Sequence, residues 1–205
     1  DNGTSSAAKI EQLAEKGHIV SGGFRGSKAD LWDGGHRVPF IVRWPAKIKA
    51  DSKSDEVICL TDLFATLSDV TGVELPSNSA EDSVSFFPAL SGKPIDSTRA
   101  GVIHHSISGH FGYRQGKWKL LLAKSSAGWT APRENKAPKD SPIAQLYDME
   151  NDSGETKNLY KTHPEIVESL LAQLKSDIER GRSTEGAESK NDIDEITLWK
   201  SDQAK

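Results

Sequence analysis

Gly26-Ser27-Lys28-Ala29-Asp30-Leu31-Trp32-Asp33-Gly34-Gly35-His36-Arg37-Val38-Pro39-Phe40 sets glycines, acids and cations close together on a short stretch of chain. With Gly22 and Gly23 just upstream, five glycines punctuate the run from Ser21 to Arg37. Glycine allows close backbone approach to a ligand and conformations closed to other residues. Cationic side chains on such a loop suit an oxyanion such as sulfate or phosphate. The following residues, Val38 to Pro45, read as a buried strand entered through one proline and closed by another. At the start of the chain, Asp1 and Asn2 offer hard oxygens that suit Ca²⁺ or Mg²⁺ and not Zn²⁺. On spacing alone, a polar turn with solvated charges is the favoured account of these residues, because Asp-Asn-Gly is a common turn.

Working outward, Ala7 to Lys16 has a helical pattern stopped by Gly17. Thr61-Asp62 caps a second helix running to about Val70, with Leu63, Phe64, Leu67 and Val70 at helical spacing and Gly72 as its stop. Cys59, within Glu56-Val57-Ile58-Cys59-Leu60, reads as a buried small hydrophobe. After Leu75-Pro76 the pattern changes to strands. Gly101–His105, His110–Arg114, Lys117–Leu122 and Gln145–Asp148 are strand-like, with a hairpin turn at Gln115-Gly116 and a long Pro-, Lys- and Ser-rich loop over 125–142. Trp118, between Lys117 and Lys119, reads as the core-facing residue of its strand. His163 to Arg180 is the clearest helix, with Ile166, Val167, Leu170, Leu171, Leu174 and Ile178 on one stripe and Pro164 in its first turn. The tail from Gly181 is polar until Ile193 to Trp199, which is expected to dock back.

Composition narrows the function classes. The chain has 205 residues, 35% hydrophobic and 27% charged, which is a polar, globular composition. A net charge of −4 provides no whole-chain field for nucleic acid. No apolar run approaches the roughly 20 residues of a membrane span. One cysteine allows no intrachain disulfide. Asp1 opens the chain in mid-loop, and the only methionine is Met149, so a truncation upstream is expected, with any targeting segment lost.

Several segments, in order, resemble the type I, formylglycine-dependent sulfatases. They are Asp1-Asn2-Gly3; the stretch from Gly26 to Phe40 with its Gly-x-Lys loop and Gly-Gly-x-Arg-x-Pro turn; Arg43-Trp44-Pro45; and Thr61-Asp62-Leu63-Phe64-Ala65-Thr66-Leu67. Arg114-Gln115-Gly116-Lys117-Trp118-Lys119-Leu120 and Leu146-Tyr147-Asp148-Met149-Glu150-Asn151-Asp152 continue the match, which runs to about Arg180. Ser153 stands where the family pattern usually has proline, which weakens one turn only. The resemblance implies an α/β chain. Residues 1–95 would be the C-terminal part of an alkaline-phosphatase-like α/β domain. Residues 96–180 would be a small α+β subdomain, an antiparallel sheet packed by a C-terminal helix, and residues 181–205 a polar tail.

The same resemblance implies roles residue by residue. Asp1 and Asn2 would be two ligands of one Ca²⁺, completed by ligands outside this chain. Lys28 would be the catalytic lysine that contacts the sulfate. Asp33, Arg37 and the glycines would fix the Lys28 loop through a buried Asp–Arg pair and tight turns. His18 and His36 stay ambiguous between packing and function. Neighbours on a strand point to opposite faces, so one of His104 and His105 can face a pocket, and His105 is the substrate-contact candidate. A formylglycine nucleophile is expected upstream, since no Cys/Ser-x-Pro-Ser/Thr-Arg motif occurs here. The expected substrate is a sulfated small molecule or carbohydrate, with no nucleic-acid partner, and the expected location is periplasmic or secreted. Two alternatives stand beside this one. One is a phosphatase, phosphodiesterase or phosphonate hydrolase of the same superfamily. The other is a non-catalytic glycan-binding remnant.

Overall fold

A computed structural model describes residues 2–95 and 99–200. They form two compact units that interleave along the chain. The first comprises the described residues up to Pro39, Ile103–Leu171, and those from Glu195 onward. The second comprises the described residues of Phe40–Val102 together with Ala172–Asp194. These units therefore cut the chain differently from the consecutive segments 1–95, 96–180 and 181–205.

The first unit is organised by one four-stranded sheet, in the order β1 (Val102–His105), β2 (Phe111–Gln115), β3 (Trp118–Leu121) and β4 (Gln145–Asp148). The expected strands thus all join one sheet. β2 and β3 are antiparallel, with Gln115 opposite Trp118, so the loop between them is Gly116-Lys117, one residue later than expected. Gly116 takes φ 53°, the left-handed conformation that a two-residue hairpin needs at its first position. β4 lies antiparallel to β3, pairing Lys119 with Tyr147 and Leu120 with Leu146.

Directly paired residues share a sheet face. Tyr113, Leu120 and Leu146 occupy one face and are fully buried. The other face carries Lys119, Leu121, Gln145 and Tyr147, and an apolar cluster forms there from Leu31, Trp32, Leu121, Ala123, Ala127, Tyr147 and Met149. The expectation for Trp118 is therefore reversed. Trp118 is half-buried, against the His163 ring, whereas Lys119 is 1% exposed. An amine can take an inward strand position when buried carboxylates await it, as they do here.

The helix α3 (Pro164–Glu179) matches the expected one to within one residue at each end and runs from the first unit into the second. Its stripe buries Val167, Leu170 and Leu174. Near the start of the chain the expected helix is broken. A 3₁₀ turn over Ser6–Ala8 is followed by α1 (Ile10–Glu15), because Lys9 between them takes the left-handed conformation at φ 55°.

In the second unit, α2 (Asp62–Thr71) ends at Gly72, as expected, in a left-handed conformation. Its burial is inverted relative to an ordinary amphipathic helix. The buried residues are Asp62 and Thr66; Leu63, Phe64, Leu67 and Val70 are exposed. Asp62 receives a bidentate pair from Arg99 at 2.6 and 2.9 Å and N–H bonds from Cys59 at 2.8 Å and Val84 at 3.0 Å. Thr66 donates its hydroxyl to Asp62 C=O at 2.7 Å and accepts Phe86 N–H at 3.0 Å. Cys59 is only half-buried, with its sulfur 2.9 Å from the Thr61 hydroxyl. The strand expected over Val38–Pro45 does not form among the described residues, and Ile41 is 90% exposed. A strand exists only where a neighbour takes up its backbone N–H and C=O groups, and no such neighbour pairs with this segment here.

Candidate functional site

The opening segment of the chain lies along the glycine-rich loop. Gly3 N–H donates to Gly35 C=O at 2.9 Å, and Lys28 N–H donates to Thr4 C=O at 3.0 Å. The glycines make this closeness possible. A Cβ on Gly3 would run into the Gly34 carbonyl, one on Gly34 into the Gly26 carbonyl, and one on Gly35 into the Asp30 carbonyl. The segment following Asp1, the Lys28 loop and the Gly34-Gly35 turn are thereby brought together. Asp1 itself lies outside the described residues. Asn2 is exposed and Lys28 half-buried. Among the described residues the Lys28 ammonium has no hydrogen-bond or ion-pair partner. The loop is stiffened at Asp30, whose carboxylate accepts Ser27 N–H at 2.8 Å.

Beneath the loop is a buried charged cluster. Lys119 Nζ reaches Asp33 Oδ1 at 2.5 Å and Glu155 Oε1 at 2.8 Å, and the other Glu155 oxygen accepts Asp33 N–H at 2.6 Å. Glu155 is 0% exposed and takes a left-handed φ of 52°. Arg37 does meet Asp33, at 3.2 Å, but its side chain is half exposed. The buried partner of Asp33 is therefore Lys119, and the expected Asp–Arg pair is the outer contact. Burial opposes ionisation of Asp33, yet His36 and Lys119 outweigh it and hold the carboxyl well below its usual range. Glu155 goes the other way. Burial and the Asp33 charge push it up, and Lys119 offsets only part of this.

Aromatic and amide groups hold the cluster from the side. The Arg25 guanidinium lies 3.7 Å from the Trp32 ring centroid and donates to Glu155 C=O at 2.8 Å. Trp32 Nε1 and the Tyr147 hydroxyl both donate to Gln145 Oε1, at 3.1 and 2.7 Å. Burial pushes the Tyr147 phenol up to about 12, so it remains a donor.

The histidine pair divides as strand geometry requires, and it is His104 that turns to the cluster. Its ring centroid lies 4.1 Å from that of His36, with the two planes tilted by 37°, and its Nε2 lies 3.2 Å from Leu31 C=O. Burial holds His104 well below its usual pKa, with His36 and Lys119 adding to the effect. His105 is exposed and sits edge-on to Phe111 at 4.4 Å. His18 is exposed.

Lys28, Asp33, Gly34 and Gly35 were legible in the sequence because they sit together on it. Lys119, Glu155 and His104 were not. The available signal was the second lysine of Lys117-Trp118-Lys119, which alternation alone assigns to solvent. No group of three or more His, Cys, Asp and Glu among the described residues is placed to hold a metal ion. No helix of the described residues is long and apolar enough to cross a membrane.

Comparison with known proteins identifies the family. Residues 27–184 match the family model for the C-terminal region of N-sulphoglucosamine sulphohydrolase. An N-acetylgalactosamine-6-O-sulfatase of Bacteroides thetaiotaomicron is 33% identical over 165 residues, covering 78% of this chain and 31% of that protein. Arylsulfatase G of Rattus norvegicus is 30% identical over 176 residues, covering 78% and 32%. A solved structure from work on glycosaminoglycan metabolism in Bacteroides thetaiotaomicron superposes with a TM-score of 0.68 at 32% identity, over 81% of this chain and 34% of that one. The chain thus spans about a third of the length of the curated relatives it matches.

Proposed function

Because this chain belongs to the sulfatase family, we propose that the complete protein hydrolyses sulfate esters, with Asp1, Asn2 and Lys28 as this chain's share of the active site. The observation that carries the reading is the pair of backbone bonds, Gly3 to Gly35 and Thr4 to Lys28, which brings the segment after Asp1-Asn2 beside a lysine without a partner among the described residues. The relatives' names favour a sulfated carbohydrate as substrate, and the location proposed with it is periplasmic or secreted. The domain division at about residue 95 belongs to this reading of the complete protein.

When bound, Ca²⁺ with Asp1 and Asn2 among its ligands would neutralise sulfuryl charge, and a formylglycine outside this chain would supply the nucleophile. Lys28 would hold a sulfuryl oxygen or the leaving alkoxide, where negative charge grows as the S–O bond breaks. The Lys119–Asp33–Glu155 cluster would keep the turn behind that lysine in place. His105, exposed at the end of β1, is proposed only as a more distant substrate contact.

The test is turnover of 4-nitrophenyl sulfate by the complete protein. Lys28→Ala is expected to lower kcat about 10²–10³-fold while the melting temperature stays near that of the wild type. Unchanged kcat would remove Lys28 from the mechanism. The 205-residue chain alone is expected to release no nitrophenol and to bind Ca²⁺ weakly, as calorimetry would show.

A further inference from the structure

The loop that follows β3 is fastened onto the Lys28 loop. Asp30 is 2% exposed and two residues beyond Lys28, and its Oδ1 accepts Trp129 N–H at 2.9 Å and Thr130 N–H at 3.1 Å. Its other oxygen takes Ser27 N–H, so one buried carboxylate ties three backbone amides from two loops. The Ser27 and Thr130 hydroxyls lie 3.0 Å apart, and Leu31 N–H donates to Ser126 C=O at 2.9 Å. Gly128 has no room for a Cβ, which would collide with the Asp30 carboxylate and the Ala29 carbonyl. Segments 126–130 and 27–31 are therefore held as one piece.

Against that fixed backbone, the Trp129 side chain is 41% exposed and makes no ring contact among the described residues. An exposed tryptophan alone means little, since apolar atoms make up much of any protein surface. Here its N–H is anchored to Asp30, two residues beyond a lysine that has no partner among the described residues. An aromatic side chain and an ammonium carried on two segments that are tied together fit a ligand that has an anionic group and a flat, weakly polar body. A sulfated pyranose is such a ligand, with its sulfate for the ammonium and its C–H face for the indole.

We propose that Trp129 is a substrate-binding residue that stacks against the sugar ring whose sulfate meets Lys28, and that Asp30 is the positioning residue that keeps the two together. The proposal rests on the sulfatase reading and adds to it a determinant of carbohydrate specificity.

The experiment uses the complete protein with 4-nitrophenyl sulfate as reporter and two competitors, N-acetylgalactosamine 6-sulfate and inorganic sulfate. Inorganic sulfate senses the anion site alone. Trp129→Ala is expected to weaken inhibition by the sulfated sugar about tenfold and to leave inhibition by inorganic sulfate unchanged. Trp129→Phe, which keeps a ring, is expected to restore most of the loss. Equal inhibition of wild type and Trp129→Ala by the sugar would overturn the proposal. So would equal weakening of both competitors, or a wild-type protein that binds the sugar no better than inorganic sulfate. Failure of the reporter reaction in the wild type would overturn the sulfatase reading itself, and it is seen before any variant is made.

Discussion

Two regions of this chain put charge inside in different ways. Around β3, an apolar cluster of Leu31, Trp32, Leu121, Tyr147 and Met149 sits beside a buried amine shared by two carboxylates. Around α2, the buried side of the helix is the polar one, with Asp62 clamped by Arg99, and its apolar residues face outward. The first region closes a core with the residues it has. The second satisfies its polar groups but leaves Phe64 at 52% and Leu67 at 56% exposure. A helix stripe of the right spacing thus says which residues share a face; whether that face is covered depends on what else is present to cover it.

The largest test of this contrast is Lys119→Met. It leaves Asp33 and Glu155 buried without their shared counter-charge, and breaking a buried ion pair from one side costs about 3–5 kcal/mol. Urea denaturation should show a loss of that size, partly recovered by adding Glu155→Gln. A loss below about 1 kcal/mol would mean that water reaches the cluster. In the second region, Thr66→Val should cost about 1–3 kcal/mol, because Phe86 N–H loses its buried acceptor. A neutral result would place Phe86 N–H in contact with solvent.

Acid should act through the histidines of the first region. His104 is held well below its usual pKa of 6.5, so the unfolded chain binds the proton that the folded chain refuses. Stability is then whole above about pH 6.5 and falls as pH drops below it. Glu155, which is pushed up, works in the opposite sense, toward the carboxylate range. Melting temperatures from about pH 7.5 to about pH 5.5 should fall, and His104→Gln should flatten the slope; an unchanged slope would clear His104 of the effect. The smallest effect is expected on the outer side of α2. Leu67→Gln should change the stability of this chain by under about 0.5 kcal/mol, since the side chain is already exposed. A loss above about 2 kcal/mol would show that the face is covered after all.

Much of this was readable in advance. The four strands, the helix over Pro164–Glu179, the end of α2 at Gly72 and the crowding of glycines around Lys28 follow from spacing and turn chemistry, which act over a few neighbouring residues. The motifs, taken in order, carried the family. Tertiary structure decided what local pattern leaves open. Lys119 goes inward and Trp118 stays half-buried because Asp33 and Glu155, 86 and 36 residues away, await the amine. His104 and not His105 meets the cluster because β1 presents it to His36. The apolar run from Phe40 to Val42 forms no strand, since a strand needs a neighbour's hydrogen bonds as well as its own sequence. Alternation and helical spacing reveal which side chains lie together. Only long-range pairing of charges and backbone groups determines which way that side faces.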